Sequence, residues 1–197
     1  MSREQPPVLA AASIGSYGYG AYLADGSEYS RDYGKSVTKE ALKNFHRRRL
    51  QVLADAGPDL IAFETIPNKL EAQDGINAAS GDSITECAAA ADSCERVAAV
   101  GVNCTAPRPI HGLVLSIKKV RHRAVVVYPI SGETYVAETK EWVQGSAGAS
   151  GTNFVSYVGK WRQAGAALIG GGCRTSPATV RAIAGALRED DAIAEKR

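Results

Sequence analysis

Short apolar runs alternate with longer stretches of helical period along most of this chain. The runs at residues 8–14, 59–64, 97–103, 124–129 and 166–170 are apolar throughout rather than alternating, as in parallel strands buried on both faces. Residues 38–56, 82–95, 109–121, 154–164 and 176–188 read as helices. In the first of these, Ala41, Leu42, Phe45, Val52 and Leu53 form one apolar stripe, and Gly57-Pro58 supplies a stop. The cluster from His46 to Arg49 falls mostly on the outer face of that helix and reads as solvated.

This repeated βα order predicts an α/β fold with a parallel sheet. A doubly wound sheet and a (β/α)8 barrel both fit the pattern. Five units do not close a barrel of eight, and 197 residues fall short of the typical length of ~250. Between Leu70 and Asp82 the chain is mostly small and polar, where a complete βα unit is expected.

Composition narrows the class. With 45% hydrophobic and 22% charged residues the chain can bury a core as one domain, which excludes disorder over most of its length. Lys+Arg 23 against Asp+Glu 21 leaves +2, so no charge field points to nucleic acid or an anionic membrane. No apolar run approaches the roughly 18 residues of a spanning helix, and the polar opening segment does not resemble a signal peptide. A soluble, cytoplasmic protein is expected.

The cysteines are Cys87, Cys94, Cys104 and Cys173, too sparse for a disulfide scaffold and without a C-x-x-C pair. Cys87 and Cys94 fall seven apart in an Ala-rich stretch, which predicts one helix face and small core residues. Cys104 and Cys173 instead end apolar runs beside turn-forming residues. In either architecture functional groups gather at the C-terminal ends of the strands. Those ends carry Gly15-Ser16-Tyr17-Gly18, Glu64-Thr65, Asn103-Cys104-Thr105, the segment from Tyr128 to Glu133, and the segment from Gly170 to Thr175. Two thiols and a carboxylate therefore converge on one rim. Spacing alone leaves both inert packing and a thiolate site open for the cysteines. Gly170 to Gly172 also permits a phosphate-cradling loop at a helix N-terminus.

Longer motifs carry a resemblance. Gly101-Val-Asn-Cys-Thr105, Phe63-Glu-Thr-Ile-Pro-Asn68, Tyr128-Pro-x-Ser-Gly-Glu-Thr-Tyr135 and Gly170-Gly-x-Cys-Arg-Thr175 resemble homocysteine S-methyltransferases, in particular the plant S-methylmethionine-dependent type. Ala12-Ser-Ile-Gly-Ser16 and Phe154-Val-Ser-Tyr-Val-Gly-Lys-Trp161 match as well, and the likeness runs from Val8 to about Leu187. It implies a (β/α)8 TIM-barrel family fold, here an incomplete barrel of about five βα units. The whole chain, 1–197, is then a single domain of that family lacking the family's N-terminal part.

The chemistry implied is zinc-dependent methyl transfer from S-methylmethionine or S-adenosylmethionine to the thiol of L-homocysteine, giving methionine. In that family one Cys after a middle strand and a Cys-Cys pair after the last strand hold Zn2+, and the substrate thiol takes the exchangeable fourth position. By the same resemblance, Cys104 is the first metal ligand, Cys173 the second Cys of the pair, and Glu64 holds the homocysteine ammonium. Asp25, Glu28 and Glu133 read either as polar lining of that rim or as ordinary loop positions. Gly172 stands where the family has the other Cys, and Ile130 where it has Asn. With one thiolate gone, zinc is expected to bind weakly. His111, seven residues past Cys104, is the nearest substitute by sequence but is expected to face solvent or pack. A catalytically impaired remnant or splice product is therefore the alternative to the active enzyme. Missing strands would also leave open sheet edges, through which the chain could self-associate.

Overall fold

A computed structural model describes residues 8–17, 37–65, 84–120, 123–136, 139–143 and 155–194. The chain divides into two compact units, 1–82 and 83–197. The expected gap between Leu70 and Asp82, together with Asp25 and Glu28, lies outside the described residues.

In the first unit, β1 (Ala11–Ile14) and β2 (Leu60–Phe63) pair in parallel, with Ala11 opposite Leu60 and Ile14 opposite Phe63. Between them runs α1 (Lys39–Asp55), and both of its ends follow from the sequence. The Thr38 hydroxyl accepts the Ala41 amide at 3.2 Å, capping an orphan donor of the first turn. At the other end Gly57 takes φ +68 and returns its amide to the Ala54 carbonyl at 3.0 Å, a conformation glycine adopts without a Cβ clash.

The helix buries Leu42 at 2% exposure and, four residues on, His46 at 8%. Four residues return a side chain to the same helix face. The expected solvated cluster is thus corrected at its first member. Arg47 and Arg48 are exposed, but the His46 ring sits 5.0 Å from both the Phe45 and Phe63 rings. Arg49 is half-buried, lying 5.0 Å over the Phe45 ring and donating to the Gly15 carbonyl at 3.3 Å.

The second unit contains α2 (Ile84–Asp92), β3 (Ala99–Asn103), α3 (Pro107–Lys118), β4 (Ala124–Tyr128), β5 (Thr134–Val136), β6 (Glu141–Val143), α4 (Val158–Ala164), β7 (Ala166–Ile169) and α5 (Pro177–Ala194). A parallel sheet runs β3-β4-β7, with Val100 opposite Val125 and Val102 opposite Val127. The register to β7 shifts between Val125 and Val126. Val100, Val102, Val125 and Val127 are buried, as are Ile110, Val114 and Ile117 on α3 and Val158 and Trp161 on α4. α3 packs on β3 and β4, and α4 packs on β7. Each aliphatic side chain buried this fully contributes roughly 1.5–3 kcal/mol.

All five expected strands form, and the chain is α/β with parallel sheets, a pair in one unit and a trio in the other. Other details differ from the sequence reading. Burial on both strand faces is not met. Leu168 on β7 is 54% exposed and Leu60 on β2 45%. An antiparallel hairpin, β5 with β6, was not expected; its strands are three residues each, too short to show a period. Helix α3 starts two residues early because Pro107 suits a first helical turn. Cys94 lies beyond the end of α2 rather than on a helix face with Cys87. No helix among the described residues is long and apolar enough to cross a membrane.

Candidate functional site

The C-terminal ends of the strands carry an unusual backbone. Among the described residues four non-glycines have positive φ: Thr65 (56), Cys104 (46), Lys140 (55) and Arg174 (63). Three of these four sit in the turns after β2, β3 and β7, where the sequence placed its chemistry. A left-handed conformation is costly for an L-residue, most of all for β-branched Thr, and such strain gathers at functional turns.

In the first unit Glu64 directly follows β2, its amide bonded to the Ile14 carbonyl at 3.2 Å. Its carboxylate accepts a hydrogen bond from the Ser13 hydroxyl, which comes from the neighbouring strand β1. Ser13 was not singled out in the sequence, because a pairing across 51 residues depends on strand register.

In the second unit the two cysteine turns meet the same loop after β4. The Ile130 amide donates to the Thr105 carbonyl at 3.2 Å, and the next amide, Ser131, donates to the Cys173 carbonyl at 3.1 Å. One loop therefore ties the Cys104 turn to the Cys173 turn. Cys104 is half-buried, and the Asn103 side-chain amide donates to its Sγ at 3.7 Å. Thr105 closes that turn by donating its hydroxyl to the Asn103 carbonyl at 2.8 Å. Cys173 is exposed.

Beside Cys173, Arg174 reaches back across the loop to Glu133. Its Nε lies 2.9 Å from Oε2, and Nη2 lies 3.4 Å from Oε1. The Ser131 hydroxyl also donates to Glu133 Oε2, at 2.9 Å. The Arg174 hydrogen bond first, and the Ser131 hydroxyl second, hold the Glu133 carboxyl below its ordinary value; the same contact raises Arg174 further above its own. Glu133 is therefore neither a plain loop position nor a free lining group. Two of the motifs contain one partner each, 41 residues apart.

Two of the glycine amides in the loop after β7 are already used. Gly170 donates to the Val127 carbonyl and Gly172 to the Pro129 carbonyl, each at 2.8 Å. With those two donors bound within the fold, they are not offered to a phosphate. A Cβ built on Gly172 would stand 3.0 Å from the Pro129 carbonyl oxygen and 3.1 Å from that of Tyr128, so a side chain there is crowded.

As a metal centre the set is short of donors. Among the described residues no group of three His, Cys, Asp or Glu could hold an ion. His111 is exposed and its Nδ1 lies 3.2 Å from the Lys160 carbonyl, so that nitrogen donates there. Two thiols fall short of the three protein ligands of a catalytic zinc site. The residues present do not fit the ion on these terms.

Parallel sheets packed with helices, one in each unit, define an α/β protein. The family model described as "Homocysteine S-methyltransferase" matches this chain in two segments, residues 1–80 and 73–187. The chain belongs to that family. It is 71% identical to homocysteine S-methyltransferase 4 of Zea mays over 210 aligned residues, covering 95% of this chain and 60% of that relative. It is 56% identical to a selenocysteine Se-methyltransferase of Brassica oleracea var. italica, covering 90% of this chain and 57% of that one. Among solved structures the metallated homocysteine methyltransferase MmuM of Escherichia coli matches with TM-score 0.72 and 32% identity, over 90% of this chain and 61% of that one. The chain thus spans about three fifths of the length of these relatives. The 210 aligned positions exceed the 197 residues of the chain, so the maize relative carries segments for which this chain has no counterpart.

Proposed function

We propose that this protein serves methyl transfer from a sulfonium donor, S-methylmethionine or S-adenosylmethionine, to the thiol of L-homocysteine. By the resemblance, Cys104 and Cys173 are assigned to the substrate thiol and Glu64 to the substrate ammonium. The observation that carries this reading is the shared loop after β4, whose consecutive amides hold both cysteine turns. It is supported by the family and by the names of the maize and bacterial relatives. The balance is simple. The acceptor sulfur loses its proton and gains a methyl group, and the donor sulfonium leaves as a neutral thioether. With S-methylmethionine both products are methionine.

In this reading residues 1–197 are one family domain, an incomplete barrel of about five βα units, working in the cytoplasm. Cys94, Cys104 and Cys173 as thiols rather than disulfides suit a reducing compartment. The exposed apolar positions Leu60, Ile61 and Leu168 support self-association through sheet surfaces left open.

A second reading is favoured by Gly172: a catalytically impaired form with no turnover, because a thiolate the family uses is replaced by a glycine packed against two carbonyls. One experiment separates the two. Purified protein is incubated with L-homocysteine and each donor, and methionine is measured over time. Methionine that disappears in Cys104→Ser supports the enzyme. No methionine from either donor overturns it and leaves the impaired form.

A further inference from the structure

The contacts around Glu133 join into one device. Arg174 follows Cys173 and is held in a left-handed conformation, φ 63. Its guanidinium engages both Glu133 oxygens, and the same carboxylate accepts the hydroxyl of Ser131, whose own amide binds the Cys173 carbonyl. On the other side of Cys173, the Gly172 amide binds Pro129 and the Gly172 carbonyl accepts both the amide and the hydroxyl of Thr175 at 3.1 and 2.7 Å. The backbone on both sides of the thiol is thus fixed, and the only ionic contact in that frame among the described residues is Glu133–Arg174. A two-pronged carboxylate–guanidinium contact sets direction as well as distance, which a lone ammonium cannot reproduce.

We infer that Glu133 and Arg174 are positioning residues that latch the Cys173 turn onto the loop after β4 and so fix where the Cys173 thiol is presented. This rests on the reading of Cys173 as part of the methyl-acceptor site. Neither residue touches the reacting atoms. The latch also explains the cost of Arg174's backbone: the conformation is the one that lets its side chain turn back over the loop while Cys173 keeps its carbonyl on Ser131.

The test needs no turnover, so its failure is distinct from the absence of methionine. The 197-residue protein is treated with iodoacetamide, and alkylation of Cys173 and Cys104 is timed in the same sample by peptide mass spectrometry. Glu133→Gln breaks the ion pair. Arg174→Lys keeps a cation next to the thiol but loses the fork. A solvent-accessible ion pair holds its partners only modestly, so its loss changes the turn by a small factor. The Cys173 rate should therefore rise about threefold in both variants, with the Cys104 rate unchanged. A purely electrostatic influence on the thiol would leave Arg174→Lys at the parent rate, and that result overturns the proposal. So does a common rise at both cysteines, which reports general loosening. Should either variant fail to fold, the unsubstituted protein decides: 1 M NaCl, where the screening length is about 3 Å, should raise the Cys173 rate and leave that of Cys104. An unchanged ratio overturns the latch.

Discussion

The Cys104 turn and the Cys173 turn hang on the same loop but are built on different principles. At Cys104 the cysteine itself takes the left-handed conformation, and neutral local hydrogen bonds from Asn103 and Thr105 close the turn. At Cys173 the strained residue is the neighbouring Arg174, and the closure is a charged contact from 41 residues away. Cys104 is half-buried, Cys173 exposed. One thiol is therefore set by its own backbone. The other is set by a partner, beside Gly172.

The largest effect expected from this contrast is on metal binding. The parent should retain well under one zinc per chain after dialysis against a weak chelator, and Gly172→Cys should hold zinc at least about tenfold more tightly, a gain of 1.4 kcal/mol or more. A third thiolate adds a bond and a negative charge. The crowding at 3.0 and 3.1 Å opposes it, so the two carbonyls of the loop after β4 must yield by a few tenths of an ångström. Atomic emission on both proteins checks this. One zinc per parent chain would mean that another group completes the site.

A smaller effect separates the turns by stability. Cys104→Val puts a β-branched side chain at φ 46, where such residues are strongly disfavoured. It should cost about 1–3 kcal/mol in urea unfolding. Cys173→Val, at an exposed position outside the left-handed region, should stay within about 0.5 kcal/mol of the parent. Equal losses would erase the distinction between a thiol placed by its own backbone and one placed by its neighbour.

What could be read from the sequence follows the range of the interactions. α1 was legible at both ends, because Thr38 and Gly57-Pro58 act on their immediate neighbours. The strands of the trio were legible because Val100, Val102, Val125 and Val127 are apolar and must be covered. Cys104 and Cys173 follow β3 and β7, as the ends of the apolar runs predict, and the turn at each bonds to the loop after β4. His46 was misjudged, since a histidine among arginines looks solvated until Phe45 and Phe63 are seen around it. Ser13 beneath Glu64, and Glu133 with Arg174, needed strand register and loop path. The left-handed turns were invisible because Thr, Cys and Arg carry no signal for positive φ, as Gly does.

The smallest effect concerns acid, and it bears on the charged turn alone. Glu133 titrates below its ordinary value, chiefly through the Arg174 hydrogen bond and then through Ser131. A carboxyl depressed in the folded state contributes stability above its unfolded pKa, about 4.3, and loses it as pH falls through the folded value. The melting temperature of the parent should therefore exceed that of Glu133→Gln by a constant margin from pH 7 to about pH 5, and the margin should close on further acidification. Side-chain exposures of 52% for Arg174 and 23% for Glu133 leave the pair open to counterions, so the margin should also narrow as salt is raised. The Asn103 and Thr105 hydrogen bonds that close the Cys104 turn are neutral, and Asn103→Ala should shift the melting temperature by the same amount from pH 7 to pH 3 and at every salt concentration. A margin for Glu133→Gln that stays flat from pH 7 down to pH 3 would place the stabilising part of that turn in its neutral hydrogen bonds, and the contrast between the two turns would then be one of exposure alone.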